Sequence, residues 1–155
     1  RVQDAVRIRT DYYREALLPR DDAIETIQTL RGKGYKVGLV SNCSDPISVL
    51  WPVTPFPQYL DTAVLSCDVG LVKPDPRIYR LACERLEVQP ERCLFVGDGG
   101  SNELTGASAV GMDAVLIRTP DDAVDGKRQS WDGARVSSLG EVPQLILSHT
   151  AYPEP

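Results

Sequence analysis

Four short apolar runs recur along the chain, each closed by small or polar residues. They are Lys36–Val40 before Ser41-Asn42, Thr62–Ser66, Arg92–Val96 before Gly97-Asp98-Gly99-Gly100, and Ala114–Ile117. Runs this short and this continuous fit strands buried on both faces, not the polar–apolar alternation of a strand with one wet face. The segments between them carry apolar residues at helical spacing. Strand, helix, strand in that order dictates an α/β fold, a Rossmann-like parallel sheet with helices on both faces. A chain of 155 residues suits one such domain.

The helical segments are delimited by their punctuation. Val2, Ala5, Val6, Ile8, Tyr12, Tyr13 and Leu17 predict a helix over 2–17, stopped by Pro19. Asp21-Asp22 supply a cap and dipole-favoured acids for a second helix, with Ile24, Ile27 and Leu30 on one face and Gly32 and Gly34 at its end. Pro46, Pro52, Pro55 and Pro57 leave room for only one short helix near 46–50. Further helices are expected over Arg77–Leu86, with Ile78, Leu81, Ala82 and Leu86 inward, over 102–110, and over 140–148. Residues 119–132 read as a polar loop, Val136 as part of a short strand, and 149–155 as a tail.

Composition excludes several functions. Seventeen Lys and Arg against 22 Asp and Glu give a net charge of −5, which lacks the clustered positive charge of a nucleic-acid footprint. No apolar run reaches the roughly 18 residues of a membrane span, and no signal-peptide core opens the chain. Cys43, Cys67, Cys83 and Cys93 form no CxxC pair, so they read as reduced thiols of a cytoplasmic protein. Cys43 stands apart from the other three because it follows Ser41-Asn42 in a loop.

In open parallel sheets, ligands sit beyond the carboxyl ends of the strands. That rule gathers Ser41-Asn42, the loop carrying Lys73, and Asp98 to Glu103 into one candidate site. Singly, each has an ordinary explanation: a Ser-Asn turn, a solvated Lys, an Asp capping a helix. Together they supply a hydroxyl and backbone amides for phosphate oxygens, a point positive charge, and two carboxylates for a hard cation. The Gly-rich segment is no dinucleotide fingerprint, because Asn102 stands where GxGxxG requires its third Gly; a GK[ST] phosphate loop occurs nowhere.

Three stretches, in this order and spacing, resemble the haloacid dehalogenase (HAD) superfamily of phosphatase-type hydrolases. They are Val37–Asn42, Val69–Tyr79 with Lys73-Pro74-Asp75-Pro76, and Leu94–Ala107 with Gly97-Asp98-Gly99-Gly100-Ser101-Asn102-Glu103. The resemblance runs from about residue 17 to 147. It implies that Ser41, with Asn42 beside it, binds the transferring phosphoryl group and that Lys73 neutralises charge on phosphate and nucleophile. It further implies that Asp98 ligates Mg²⁺ directly and that Glu103, where the family often has Asp, holds the metal through water or supports its ligands from behind. Residues 1–18 become the remnant of a helical cap, 19–148 the core and 149–155 the tail. A carboxylate at Asp98 favours the Mg²⁺-dependent phosphatase branch over metal-free haloacid dehalogenases.

One motif of that family is missing. No Asp-x-Asp pair closes an apolar strand anywhere in the sequence, and Asp4, Asp11, Asp121 and Asp122 do not replace it. Its first Asp is the family's phosphoryl acceptor, forming an aspartyl-phosphate, and its strand lies in the sheet between those ending at Ser41 and Asp98. The expected sheet therefore lacks its first central strand. The chain, which opens on Arg1, reads as the carboxyl-terminal part of a longer hydrolase of small phosphomonoesters, inactive alone. A homodimer or an N-terminal segment would complete the sheet. Two alternatives stand beside this reading: a non-catalytic relative that binds a phosphorylated ligand or a partner, and a structural fragment completed by another chain.

Overall fold

The computed structural model describes residues 17–119 and 130–148. Residues 1–16 of the expected first helix, Asp121-Asp122 and the tail 149–155 lie outside the described residues.

The apolar runs form parallel strands. β1 (Gly38–Ser41) pairs with β2 (Thr62–Leu65), Gly38 opposite Thr62 and Ser41 opposite Leu65. β3 (Leu94–Gly97) pairs with β4 (Asp113–Ile117), which pairs with the short β5 (Arg135–Val136). The helices are α1 (Ala23–Gly32), α2 (Asp45–Leu50), α3 (Ser66–Val69), α4 (Pro76–Leu86), α5 (Glu103–Ala109) and α6 (Val142–Ser148).

Alternation along the strands feeds two cores, one on each face. On one face Val40, Phe95 and Ala114 pack with Ile78, Tyr79, Ala82 and Cys83 of α4 and Ala107 of α5. On the other, Val37, Leu94, Val96, Val115 and Ile117 pack with Leu30 of α1 and Val142 and Ile146 of α6. Apolar side chains leave both faces of the strands, which is why the runs carry no polar alternation.

Several local expectations shift. β1 begins at Gly38 rather than Lys36, because Val37 is taken by Asp61: its N–H donates to Asp61 Oδ2 at 2.7 Å and its carbonyl accepts from Asp61 N at 2.8 Å. α1 buries Ala23, Thr26 and Leu30, and its Asp22 cap residue makes no side-chain cap bond. Instead Asp22 Oδ2 accepts from Gly140 N at 3.0 Å and ties α1 to the turn before α6. The run predicted as strand through Ser66 turns at that residue into α3, which ends at Gly70 in the left-handed region (φ 67°). α4 buries Tyr79 and Cys83 beside Ile78 and Ala82, in place of Leu81 and Leu86.

The sheet is split. Among the described residues β1 bonds to β2 and β3 to β4, but β1 and β3 do not bond to each other. Between them lies a cleft of about 640 Å³, walled by Val37–Val40 and Leu94–Val96. Thr26 and Leu30 of α1, Ala82 and Leu86 of α4 and Ile146 of α6 complete its apolar lining, and Lys73 and Glu103 also face it. The gap falls between the strands ending at Ser41 and at Gly97-Asp98, where the sequence predicts an absent central strand.

Candidate functional site

The carboxyl edge carries a connected polar network. Ser41 is the last residue of β1, half-buried, and Asn42 follows it into the loop. The Asn42 amide clamps the Lys73 backbone from both sides: Nδ2 donates to Lys73 O at 3.1 Å and Oδ1 accepts from Lys73 N at 2.7 Å. Lys73 Nζ in turn forms an ion pair with Glu103 Oε2; the two side chains are only 12% and 6% exposed. It also lies 5.8 Å from the centroid of the Phe95 ring, within cation–π reach. Glu103 Oε1 accepts from Gly99 N at 3.2 Å, and Asp98 Oδ1 accepts from Gly100 N at 2.9 Å. Segments separated by about thirty residues thus meet at one edge, with Asn42, Lys73 and Glu103 bonded in series and Asp98 beside them.

The turn after β3 explains how Glu103 gets there. Gly99 (φ 85°), Ser101 (φ 54°) and Asn102 (φ 52°) all take left-handed backbone. Gly does so freely, Asn at modest cost, and Ser only where the surroundings impose it, at about 1–3 kcal/mol. This tight turn starts α5 directly beneath the end of β3 and drives the Glu103 side chain back under the strand. Gly97 makes the room: a Cβ there would lie 2.3 Å from Glu103 Oε1. From the other side the buried Tyr79 hydroxyl donates to Glu103 O at 2.9 Å.

Burial raises the Glu103 carboxyl above its ordinary value; Lys73 opposes that shift and the nearby Asp98 charge adds to it. Burial, and secondarily the Glu103 charge, also raises the Tyr79 phenol. Outside this network Asp75 caps α4, accepting from Arg77 N at 2.9 Å, and the Arg77 guanidinium holds its carboxyl at about 2. Asp98 and Glu103 are oxygen donors of the kind a hard divalent cation takes, and such a cation commonly uses one or two carboxylates plus water. Both oxygens of Glu103 are engaged, Oε1 by Gly99 N and Oε2 by Lys73 Nζ, and Asp98 Oδ1 is engaged by Gly100 N. Among the described residues no cluster of three His, Cys, Asp or Glu side chains converges on a cation.

Ser41, Asn42, Lys73, Asp98 and Glu103 therefore share one edge, as their sequence positions predict. Tyr79 and Gly97 escape sequence reading. Tyr79 sits next to Ile78 on a helix whose apolar stripe is equally well drawn through Leu81 and Leu86, and nothing local marks Gly97 as the floor under a carboxylate six residues further along the sequence.

A sequence model described as haloacid dehalogenase-like hydrolase matches residues 3–111. The chain belongs to this family. It is 31% identical over 145 residues to (S)-2-haloacid dehalogenase 1 of Pseudomonas sp. (strain CBS-3), covering 90% of this chain and 61% of that protein. It is 29% identical over 133 residues to the glyceraldehyde 3-phosphate phosphatase of Methanothermobacter thermautotrophicus, covering 83% of this chain and 58% of that one. Among solved structures, the HAD phosphatase from Thermococcus onnurineus superposes with a TM-score of 0.71 at 31% identity, over 82% of this chain and 57% of that one. The HAD-like chain thus spans about three-fifths of the length of these relatives, which include both a dehalogenase and phosphatases.

Proposed function

We propose that this edge is the phosphate- and metal-binding part of a Mg²⁺-dependent hydrolase of small phosphomonoesters in the cytoplasm, the compartment that four free thiols suit. The observation that carries the reading is charge. One cation, Lys73, faces two carboxylates, Asp98 and Glu103, so an anionic ester meets net repulsion until a divalent cation joins the site. Bound through Asp98, with Glu103 acting through water, Mg²⁺ would supply charge neutralisation of the phosphoryl oxygens. Ser41 would donate to those oxygens, Asn42 would hold the Lys73 loop in place, and Lys73 would stand over the anion.

The phosphoryl acceptor is not among these side chains. Positioning and electrostatics do not replace a carboxylate nucleophile. We infer that it enters on a parallel strand seated in the cleft between β1 and β3, from outside these 155 residues, and that the chain by itself turns over no ester. The dehalogenase relatives favour a second reading, metal-free displacement of halide from a 2-haloacid. The neighbouring carboxylates of half-buried Asp98 and buried Glu103 argue against it, because that substrate is an anion too and no metal would offset the repulsion.

Calorimetry with orthophosphate and Mg²⁺ tests this, beside p-nitrophenyl phosphate and 2-chloropropionate assays. The expected result is Mg²⁺-dependent phosphate binding lost in Lys73→Ala and weakened in Asp98→Asn, with no turnover of either substrate. Metal-independent binding of 2-chloropropionate, unchanged by Asp98→Asn, would overturn it in favour of the second reading. Turnover of the ester would show that a nucleophile does lie within the chain.

A further inference from the structure

Two pairs of thiols lie close together, and they sit in different surroundings. Cys43 Sγ stands 3.1 Å from Cys67 Sγ, across 24 residues of sequence. Cys83 Sγ stands 3.8 Å from Cys93 Sγ, with Cys83 buried in the core on the inner side of α4. The first pair is half-buried at the carboxyl edge. It is held in register by the buried Ser66, whose Oγ accepts from Cys43 N at 2.8 Å and donates to Cys43 O at 3.1 Å. Ser66 and Cys67 begin α3, so the exit of β1 is fastened to the start of that helix with its thiol facing the helix's thiol.

We propose that Cys43 and Cys67 form an oxidant-sensitive pair that closes to an intramolecular disulfide on reaction with hydrogen peroxide. The Cys43 thiolate attacks a peroxide oxygen; the O–O bond breaks, hydroxide leaves and takes a proton, and Cys43 becomes a sulfenic acid. The Cys67 sulfur then attacks the Cys43 sulfur, the S–O bond breaks, and the thiol proton leaves with the hydroxyl as a second water. Two thiols and one peroxide give one disulfide and two waters. Bringing the sulfurs to about 2.05 Å requires about 1 Å of approach, within reach of side-chain rotation. Cys67 Sγ lies 3.9 Å from the Asp68 carboxylate, and burial, then contact with Cys43, pushes its thiol up to about 11; both disfavour its thiolate and leave it the resolving step. Burial pushes Cys93 up to about 12, which keeps the inner pair slow.

The bond would close a ring from residue 43 to 67 and fix the residue next to Asn42, whose amide holds the Lys73 loop. This inference rests on the thiols alone and stands whether or not the chain binds phosphate.

The reduced chain is treated with one equivalent of hydrogen peroxide, alkylated with N-ethylmaleimide and mapped by peptide mass spectrometry. The expected result is a peptide joining Cys43 to Cys67, reversed by dithiothreitol, with Cys83 and Cys93 alkylated only after unfolding. In Cys67→Ser, Cys43 should accumulate as dimedone-labelled sulfenic acid at about tenfold the wild-type level, since nothing resolves it. A Cys83–Cys93 link with Cys43 and Cys67 still alkylatable would overturn the proposal. So would equal dimedone labelling of Cys43 in wild type and variant.

Discussion

Glu103 is caught between opposing demands. Desolvation favours its neutral form, while Lys73 and the Gly99 amide favour the carboxylate. Its position depends on Gly97 having no side chain, which makes Gly97→Ala a direct probe. The new Cβ would sit 2.3 Å from Oε1 and 2.9 Å from Cε1 of Phe95, so either the carboxylate or the strand must move. Overpacking of this kind costs about 1–3 kcal/mol, and the variant's urea midpoint should fall accordingly. A midpoint shift below about 0.5 kcal/mol, the scale of a neutral surface change, would mean that Glu103 swings clear at no cost.

Two carboxyl groups also give opposite pH slopes. Because Glu103 is raised above 4.5, the folded chain keeps a proton there that the unfolded chain has released. Stability should therefore decline as pH rises from 4.5 through the folded value, and Glu103→Gln should flatten that decline. Asp75 runs the other way: its folded value is about 2 against 3.8, so its contribution is complete above 3.8 and is lost as pH falls toward 2. Asp75→Asn should remove that acid-side loss. Urea midpoints collected from pH 2 to 8 check both, and a Glu103→Gln profile parallel to wild type above 4.5 would refute the first.

At the scale of elements, α4 and α5 approach closely because Gly106 lets them. A Cβ at Gly106 would meet Tyr79 Oη at 2.6 Å and Pro74 Cβ at 2.8 Å. Helix propensity alone would make Gly106→Ala stabilising by about 1 kcal/mol. The clash falls on a fully buried ring and on the residue next to Lys73, so the packing cost of about 1–3 kcal/mol should win. Net destabilisation by thermal melting, with the Tyr79–Glu103 hydrogen bond lost, is the expected outcome; a higher Tm would show that the interhelix contact relaxes easily.

The same scale shows why some elements can be read from sequence and others cannot. The strands are legible because burial on both faces writes itself as uninterrupted apolar runs, and the site residues because they stand at the ends of those runs. α3 is not legible: four residues, Ser66–Val69, show no period. The Asp22 cap fails as a sequence rule because a tertiary donor, Gly140 N, outcompetes the local one. Tyr79 is missed because its role depends on a carbonyl 24 positions away. The thiol pairs are missed because their spacing has no local meaning, although Cys43 stands out by its position after Asn42.

For the whole molecule, the split sheet is the governing fact. β1 and β3 each carry a ladder of backbone groups toward an apolar cleft of about 640 Å³, and neither bonds across it. Open strand edges beside apolar side chains are templates for a further strand. The segments leaving the carboxyl ends of both neighbours meet in the Asn42–Lys73–Glu103–Gly99 network, so the inserted strand should be parallel to both, with its carboxyl end delivered beside Ser41, Lys73 and Asp98. Apolar lining from α1 on one face and α4 on the other calls for apolar residues throughout, and the cationic Lys73 calls for a carboxylate where the strand emerges. A synthetic peptide of about five β-branched residues ending in Asp-x-Asp meets those demands. Added in trans, it should shift the amide resonances of Gly38–Ser41 and Leu94–Gly97 and confer Mg²⁺-dependent turnover of p-nitrophenyl phosphate that neither component has alone. With the first Asp changed to Asn, the peptide should still shift those resonances but give no turnover, which separates seating from chemistry. If the shifts fall on the outer edges at β2 or β5 instead, the cleft is not the seat of the missing strand, and the nucleophile must reach the edge by another route.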